Sequence, residues 1–146
     1  CHCSRDAIAR YRSRISGPLL DRIDLQVEVP RLPPAALRPD APAGESSAEV
    51  RARVVAARRR QLDRAGRLNA HLDQAGTFAT CRLPPADQQL LERAIERLQL
   101  SARAMHRILR TARTIADLAG AADIAGDHLA EALGYRCAER GLQAAA

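Results

Sequence analysis

The chain has 146 residues, 47% of them apolar but only 2% aromatic, with a formal net charge of +6 and a pI near 10.1. That length fits one domain, or one domain with an appendage, and an apolar fraction drawn from Leu, Ile, Val and Ala argues for close-packed helices against a strand-rich sandwich. No run approaches the ~20 apolar residues of a membrane span, and the opening CHCSRD has no apolar stretch of a secretion signal, so a cytoplasmic protein without a membrane partner is expected.

Every basic residue is Arg, which a coding bias explains more simply than selection. A positive surface still attracts phosphate, so nucleotide or nucleic acid is a reasonable partner that charge alone does not establish. The four cysteines are Cys1, Cys3, Cys81 and Cys137, and the last two stand apart, as expected of buried, reduced thiols. Because the chain opens at Cys1-His2-Cys3 without Met, it is expected to be an excised segment whose chemistry lies partly upstream.

Residues 1–22 are basic and polar, and Arg5, Arg10, Tyr11, Arg12 and Arg14 interleave one aromatic with positive charge. Such a stretch suits nucleic acid, and equally a solvated tail. Ile23, Leu25, Val27 and Val29 then alternate with Asp24, Gln26 and Glu28, the period of two that marks a strand. A lone strand leaves its backbone groups unpaired, and nothing later in the chain offers a partner. Residues 30–47 carry five prolines and Gly44, which block regular structure and predict a linker.

The linker ends in Ser46-Ser47-Ala48-Glu49, a capping box that predicts a helix over 47–65 with Gly66 at its end. Val50, Val54, Ala57 and Gln61 share its predicted inner face, flanked by Val55 and Leu62. A short amphipathic turn is expected at 68–72, then a loop from Gly76 to Pro85. Pro84 and Pro85 suit the start of a second helix burying Leu90, Leu91, Ala94, Ile95 and Leu98. Ser101 and Gly120 bracket a third, with Met105, Ile108, Leu109, Ala112, Ile115, Ala116 and Ala119 inward. A last helix over 125–139, begun by Asp123 or Asp127, turns Leu129, Ala132 and Leu133 inward. The prediction is an all-α four-helix bundle preceded by a flexible segment.

Two blocks carry a resemblance. Ser16 to Pro30, SGPLLDRIDLQVEVP, and Leu100 to Leu118, LSARAMHRILRTARTIADL, closely resemble magnesium-chelatase-like AAA+ ATPases of the ComM type, and Asp127 to Arg136 resembles the last lid helix of that family. The resemblance covers nearly the whole chain but only about the trailing third of the family's architecture. It implies that residues 1–30 are the trailing edge of an AAA+ core, 31–46 a linker and 47–146 a helical lid, the strand being the last of the parent's core.

By the same resemblance Arg22 is the arginine finger, set toward the γ-phosphate held by a neighbouring subunit in a hexameric ring. Read alone, Arg22 is equally an ion pair with Asp21 or Asp24. Arg103, in the first turn after the Ser101 cap, matches the sensor-2 residue that faces nucleotide; Arg107, Arg110 and Arg113 are expected to be solvated or salt-bridged. Two thiolates spaced as Cys1 and Cys3 furnish half of a tetrahedral zinc site, and the resemblance implies that the other half lies upstream, so a bound metal is not expected in this chain. His128 is read as a half-buried helix residue, and Cys81 as lacking support as a third ligand.

No G-x-x-x-x-G-K-[ST] occurs, so the cradle for ATP phosphates and its Mg is missing from the chain. The implied function is therefore that of a part: the finger and lid of an ATP-dependent motor on DNA, inactive and monomeric by itself. Two alternatives stay open, a stand-alone basic helical module that binds DNA and the lid of a true magnesium chelatase.

Overall fold

A computed structural model describes residues 3–16, 19 and 22–144. Its helices are α1 (Arg5–Arg12), α2 (Ser47–Ala65), α3 (Gln74–Thr80), α4 (Pro85–Leu98), α5 (Ala102–Ala119) and α6 (Gly126–Ala144), with 3-10 turns at Pro34–Leu37 and Asn69–His71. Among the described residues there is no strand, and the fold is all-α. The alternating segment is extended but laddered to nothing: Ile23, Leu25, Val27 and Val29 are 40–85% exposed.

The predicted ends of the helices follow from their caps. Ser46 accepts from the Glu49 amide while the Glu49 carboxylate accepts from the Ser46 amide at 2.8 Å, the reciprocal capping box. Ser101 accepts from the Ala104 amide, and α5 stops at Gly120, whose φ of 76° is left-handed. A Cβ at Gly120 would also lie 3.3 Å from the Arg60 guanidinium, so two constraints select glycine there.

α5 is the central helix, packing against α2 on one side and α6 on the other, while α4 lies on α6. The seam between α5 and α6 is lined by Ala112, Ala116 and Ala132, each at most 1% exposed, so small side chains let the two axes approach. Leu91, Ile108 and Leu129 fill the remaining core at 0–1% exposure, each contributing ~1.5–3 kcal/mol by leaving water.

Several expectations fail for physical reasons. Residues 74–80 form helix rather than loop, because the Asp73 carboxylate caps the Gly76 amide at 2.7 Å and the Thr77 and Thr80 hydroxyls donate back to carbonyls four residues earlier. Gly76 is no breaker there; it leaves room for Asp73 and Leu72, which a Cβ would meet at 3.0 and 3.2 Å. α1 forms under a Ser4 cap where no element was assigned. Burial on α2 is confined to Ala57 and Gln61, and Val50 and Val54 remain 40% and 42% exposed. At the start of α6 it is His128 Nδ1, not Asp123 or Asp127, that accepts from the Ala125 amide at 3.0 Å. On α5, Ala119 is exposed and Arg113 and Asp117 are buried instead.

Those two residues belong to a polar knot. Arg64 of α2 donates to both carboxylate oxygens of Asp117 at 2.7 and 2.8 Å, and Arg113 Nη2 reaches the same carboxylate at 3.0 Å. The Asn69 side chain donates to Asp117 Oδ2 at 2.9 Å and to Thr114 at 3.1 Å, and its backbone amide donates to Gln61 Oε1 at 3.1 Å. Arg113 spends its other donors on the Ala122 and Ala121 carbonyls at 2.8 and 2.9 Å. Burial by itself would raise the Asp117 pKa, but the hydrogen bonds from Arg64 and Asn69 and the charges of Arg113 and Arg64 outweigh it and hold the carboxyl below its ordinary range.

Removing one partner from such a pair strands a buried charge, so Asp117→Asn is expected to lower the unfolding free energy by ~3–5 kcal/mol in urea denaturation, while Asp63→Asn on the exposed surface stays within about 0.5 kcal/mol. Because the folded pKa is depressed, the contribution is fully present above the unfolded value of about 3.9 and disappears as pH falls through the folded one. Acid titration of the wild type should therefore show a steeper loss of stability below about pH 4 than that of the Asp117→Asn protein.

Candidate functional site

The arginines of α5 have four different fates. Arg103 lies in the first turn and is exposed, beside a helix end whose first turn carries no acidic residue. The partial positive charge of that end and the guanidinium both favour an anion. Arg107 donates through Nη1 to the Arg22 carbonyl and to the Asp24 carboxylate. Arg110 donates to the Leu72 carbonyl at 3.0 Å and to that of Ala70 at 3.3 Å. Arg113 is buried within the knot.

A second bond completes the docking of the segment that starts at Arg22. The Gln26 amide donates to the Tyr135 carbonyl of α6 at 3.0 Å. Residues 22–26, far from the bundle in sequence, thus lie across α5 and α6. Beneath them is a cavity of about 210 Å³ lined by Asp24, Leu25, Ala70, Arg107, Arg110, Thr111 and Thr114. Arg107 follows Arg103 by one helical turn, roughly 6 Å along the axis, so the backbone of Arg22 is anchored one turn from the exposed Arg103.

Asp24 pairs with Arg107, whereas Asp21 lies outside the described residues. Arg22 itself is exposed at a turn. Cys1 and His2 also lie outside the described residues, and Cys3 is exposed. Cys81 is buried in the core at 4% exposure, and burial pushes its thiol pKa up, the opposite of what a thiolate ligand needs. Among the described residues no three His, Cys, Asp or Glu side chains are placed to hold a metal. No described helix is long and apolar enough to cross a membrane.

Two elements escaped the sequence reading. The Arg113 and Asp117 spacing of four residues was a legible sign of a helical ion pair. The grip of Arg107 on Asp24 spans 83 residues and leaves no local trace.

Comparison with known proteins gives a consistent result. Residues 44–136 match the family model described as magnesium chelatase, subunit ChlI C-terminal, and residues 1–37 match that of magnesium chelatase, subunit ChlI. The chain is 49% identical over 140 residues to competence protein ComM of Haemophilus influenzae, covering 96% of this chain and 28% of that protein. It is 45% identical over 138 residues to the uncharacterized protein YifB of Escherichia coli, covering 94% of this chain and 27% of that one. It is 37% identical over 142 residues to the uncharacterized protein Rv2897c of Mycobacterium tuberculosis, covering 93% and 27%. The chain thus spans a little over a quarter of the length of these relatives.

The docked segment is open to amide hydrogen exchange. The Gln26 amide should exchange more slowly than those of Leu25 and Val27, which have no backbone acceptor among the described bonds. Equal, fast exchange at all three would show that the segment does not rest on α6.

Proposed function

The chain belongs to the magnesium chelatase subunit ChlI family, a branch of the AAA+ proteins, and on that basis we propose that it is the finger and lid of a ring-forming, ATP-dependent motor acting on DNA. Residues 1–30 then close the AAA+ core, 31–46 link, and 47–146 form the lid. Arg22 is the arginine finger, directed at ATP held by the adjacent subunit. Arg103 is the sensor-2 group facing nucleotide. The observation that carries this reading is the docking of the Arg22 backbone one turn from Arg103 on the same helix.

The chemistry assigned to each residue is electrostatic. Phosphoryl transfer spreads negative charge over the γ-phosphate oxygens, and a guanidinium already in place stabilises that charge without reorganising. Arg suits the task over Lys because its charge is permanent and its donors form a planar fork. ATP with its Mg would be cradled by the parent's phosphate-binding loop, the part for which this chain has no motif, and the lone chain is proposed to be inactive and monomeric. Cys3, exposed, would with Cys1 supply two thiolates to a zinc completed by ligands beyond the described residues.

A DNA substrate, a hexameric ring and a role in recombination or branch migration are supported by the resemblance, by the net charge of +6 and by the name of the Haemophilus influenzae relative, a competence protein. A second reading draws on the family description itself: a magnesium chelatase would insert metal into a porphyrin. ATP-dependent metallation of a porphyrin by the full-length protein, with no stimulation by DNA, would favour it. In the full-length protein, Arg22→Ala should reduce ATP turnover by ~10³–10⁵ while nucleotide binding is kept; turnover within about twofold of wild type contradicts the finger assignment.

A further inference from the structure

Arg107, Arg110, Thr111 and Thr114 stand at positions i, i+3, i+4 and i+7 of α5, so they share one helical face. That face lines the cavity of about 210 Å³ under residues 22–26. Two guanidiniums and two hydroxyls therefore converge on one small space, and the only acid among its lining residues is Asp24.

The charge of this cavity is not balanced. Arg110 gives its Nη1 to the carbonyls of Ala70 and Leu72, which are neutral acceptors. Arg107 gives its Nη1 to the Arg22 carbonyl and the Asp24 carboxylate, yet its Nε is buried and has no hydrogen-bond partner. Buried donors are nearly always paired, and one left without an acceptor is unfavourable. A single carboxylate thus answers two positive charges, and it reaches only one nitrogen of the pair.

We propose that this cavity is a binding site for a phosphate group, and that the Asp24 carboxylate is a tethered anion which the phosphate displaces. The Asp24 side chain is 56% exposed, and an ion pair so open to water contributes little and is readily given up. A phosphate carries more charge than a carboxylate and spreads its oxygens tetrahedrally. It can meet the Nε edge of Arg107 and the remaining donors of Arg110 together, as a planar guanidinium fork favours. Losing Asp24 removes one anchor of residues 22–26 and leaves the bond from the Gln26 amide to the Tyr135 carbonyl. Phosphate in the cavity and docking of the segment therefore oppose each other, each weakening the other by the same factor. Free phosphate, a nucleotide and the DNA backbone share this chemistry. The proposal is independent of the role given to Arg22.

The test is an NMR titration of the 146-residue chain with inorganic phosphate, matched in ionic strength by sodium chloride. The Arg107 Nε–H and Thr111 amide resonances should shift saturably, and the Gln26 amide should exchange faster as phosphate is added. Arg107→Ala and Arg110→Ala, followed at Thr111, should weaken binding ~10-fold or more, because each removes a charged donor. Asp24→Asn should tighten it about two- to fivefold, because the competing charge is gone. Titrations with ATP and with a short single-stranded oligonucleotide identify the source. Whichever saturates the same resonances at a lower concentration than inorganic phosphate carries the group, and if neither does, the free ion is the ligand. A shift that persists in Arg110→Ala belongs to another site.

An Arg107 Nε–H that moves no further with phosphate than with sodium chloride overturns the site. Equal affinity in wild type, Arg107→Ala and Arg110→Ala overturns the assignment of its donors. Should either arginine variant fail to fold, Asp24→Asn, at an exposed carboxylate, decides by sign: tighter binding supports the displacement, and unchanged or weaker binding overturns it.

Discussion

A carboxylate with no access to water holds this structure together. Both oxygens of Asp117 are fully used: Oδ1 accepts from Arg64 and Arg113, and Oδ2 from Arg64 and Asn69. That accounts for the four lone-pair sites an ionised carboxylate offers. Dehydrating any one of these charges alone would cost several kcal/mol, so the three stand only as a group. The result is a junction in which α2, the turn at Asn69–His71, α5 and the α5–α6 connection all meet at one residue. Hydrophobic packing along the alanine seam is non-directional and tolerates sliding; the knot does not, because moving α5 by a fraction of a turn would break several bonds together.

The knot also explains how an exposed site can be well defined. Arg103 and Arg107 project from the half of α5 away from Asp117, and a helix held at one end and packed along its length presents them at fixed spacing. Among the described residues the segment from Arg22 to Gln26 meets no sheet; the Arg107 guanidinium of α5 donates to it at Arg22 and Asp24, and its Gln26 amide donates to a carbonyl of α6. An alternating stretch that reads as a strand thus meets the bundle through a guanidinium and a single main-chain bond rather than through a ladder. Its exposed Ile, Leu and Val side chains are what a strand of a larger sheet would carry on its buried face.

Local chemistry was the legible part of the sequence. Ser46 with Glu49, Ser101, Gly66 and Gly120 each act within a few residues, and the bounds of α2 and α5 follow from them. The apolar period of α5 likewise announced Ile108, Leu109, Ala112 and Ala116. What the period hid was that Arg113 and Asp117 lie on the inner side with them, where a charged residue is accepted only with a partner. Gly76 misled because glycine usually signals a loop, whereas here its missing Cβ makes room for the Asp73 cap. The exposure of Val50 and Val54 shows that an apolar face predicts burial only where another helix arrives. Of the site, Arg103 could be placed from the cap before it, but the grip of Arg107 on Arg22 and Asp24 required the fold.

The most direct measurement is the protonation of Asp117 itself, followed by the ¹³C shift of its side-chain carboxyl carbon in the folded chain as pH is lowered. If two guanidiniums and an amide satisfy this carboxylate in the interior, its midpoint lies below the ordinary value of about 3.9, or is reached only as the chain unfolds. A carboxyl carbon that titrates at or above that value in the folded protein would mean that the charge is not held by Arg64 and Arg113, and the junction on which the rest of the structure depends would not exist.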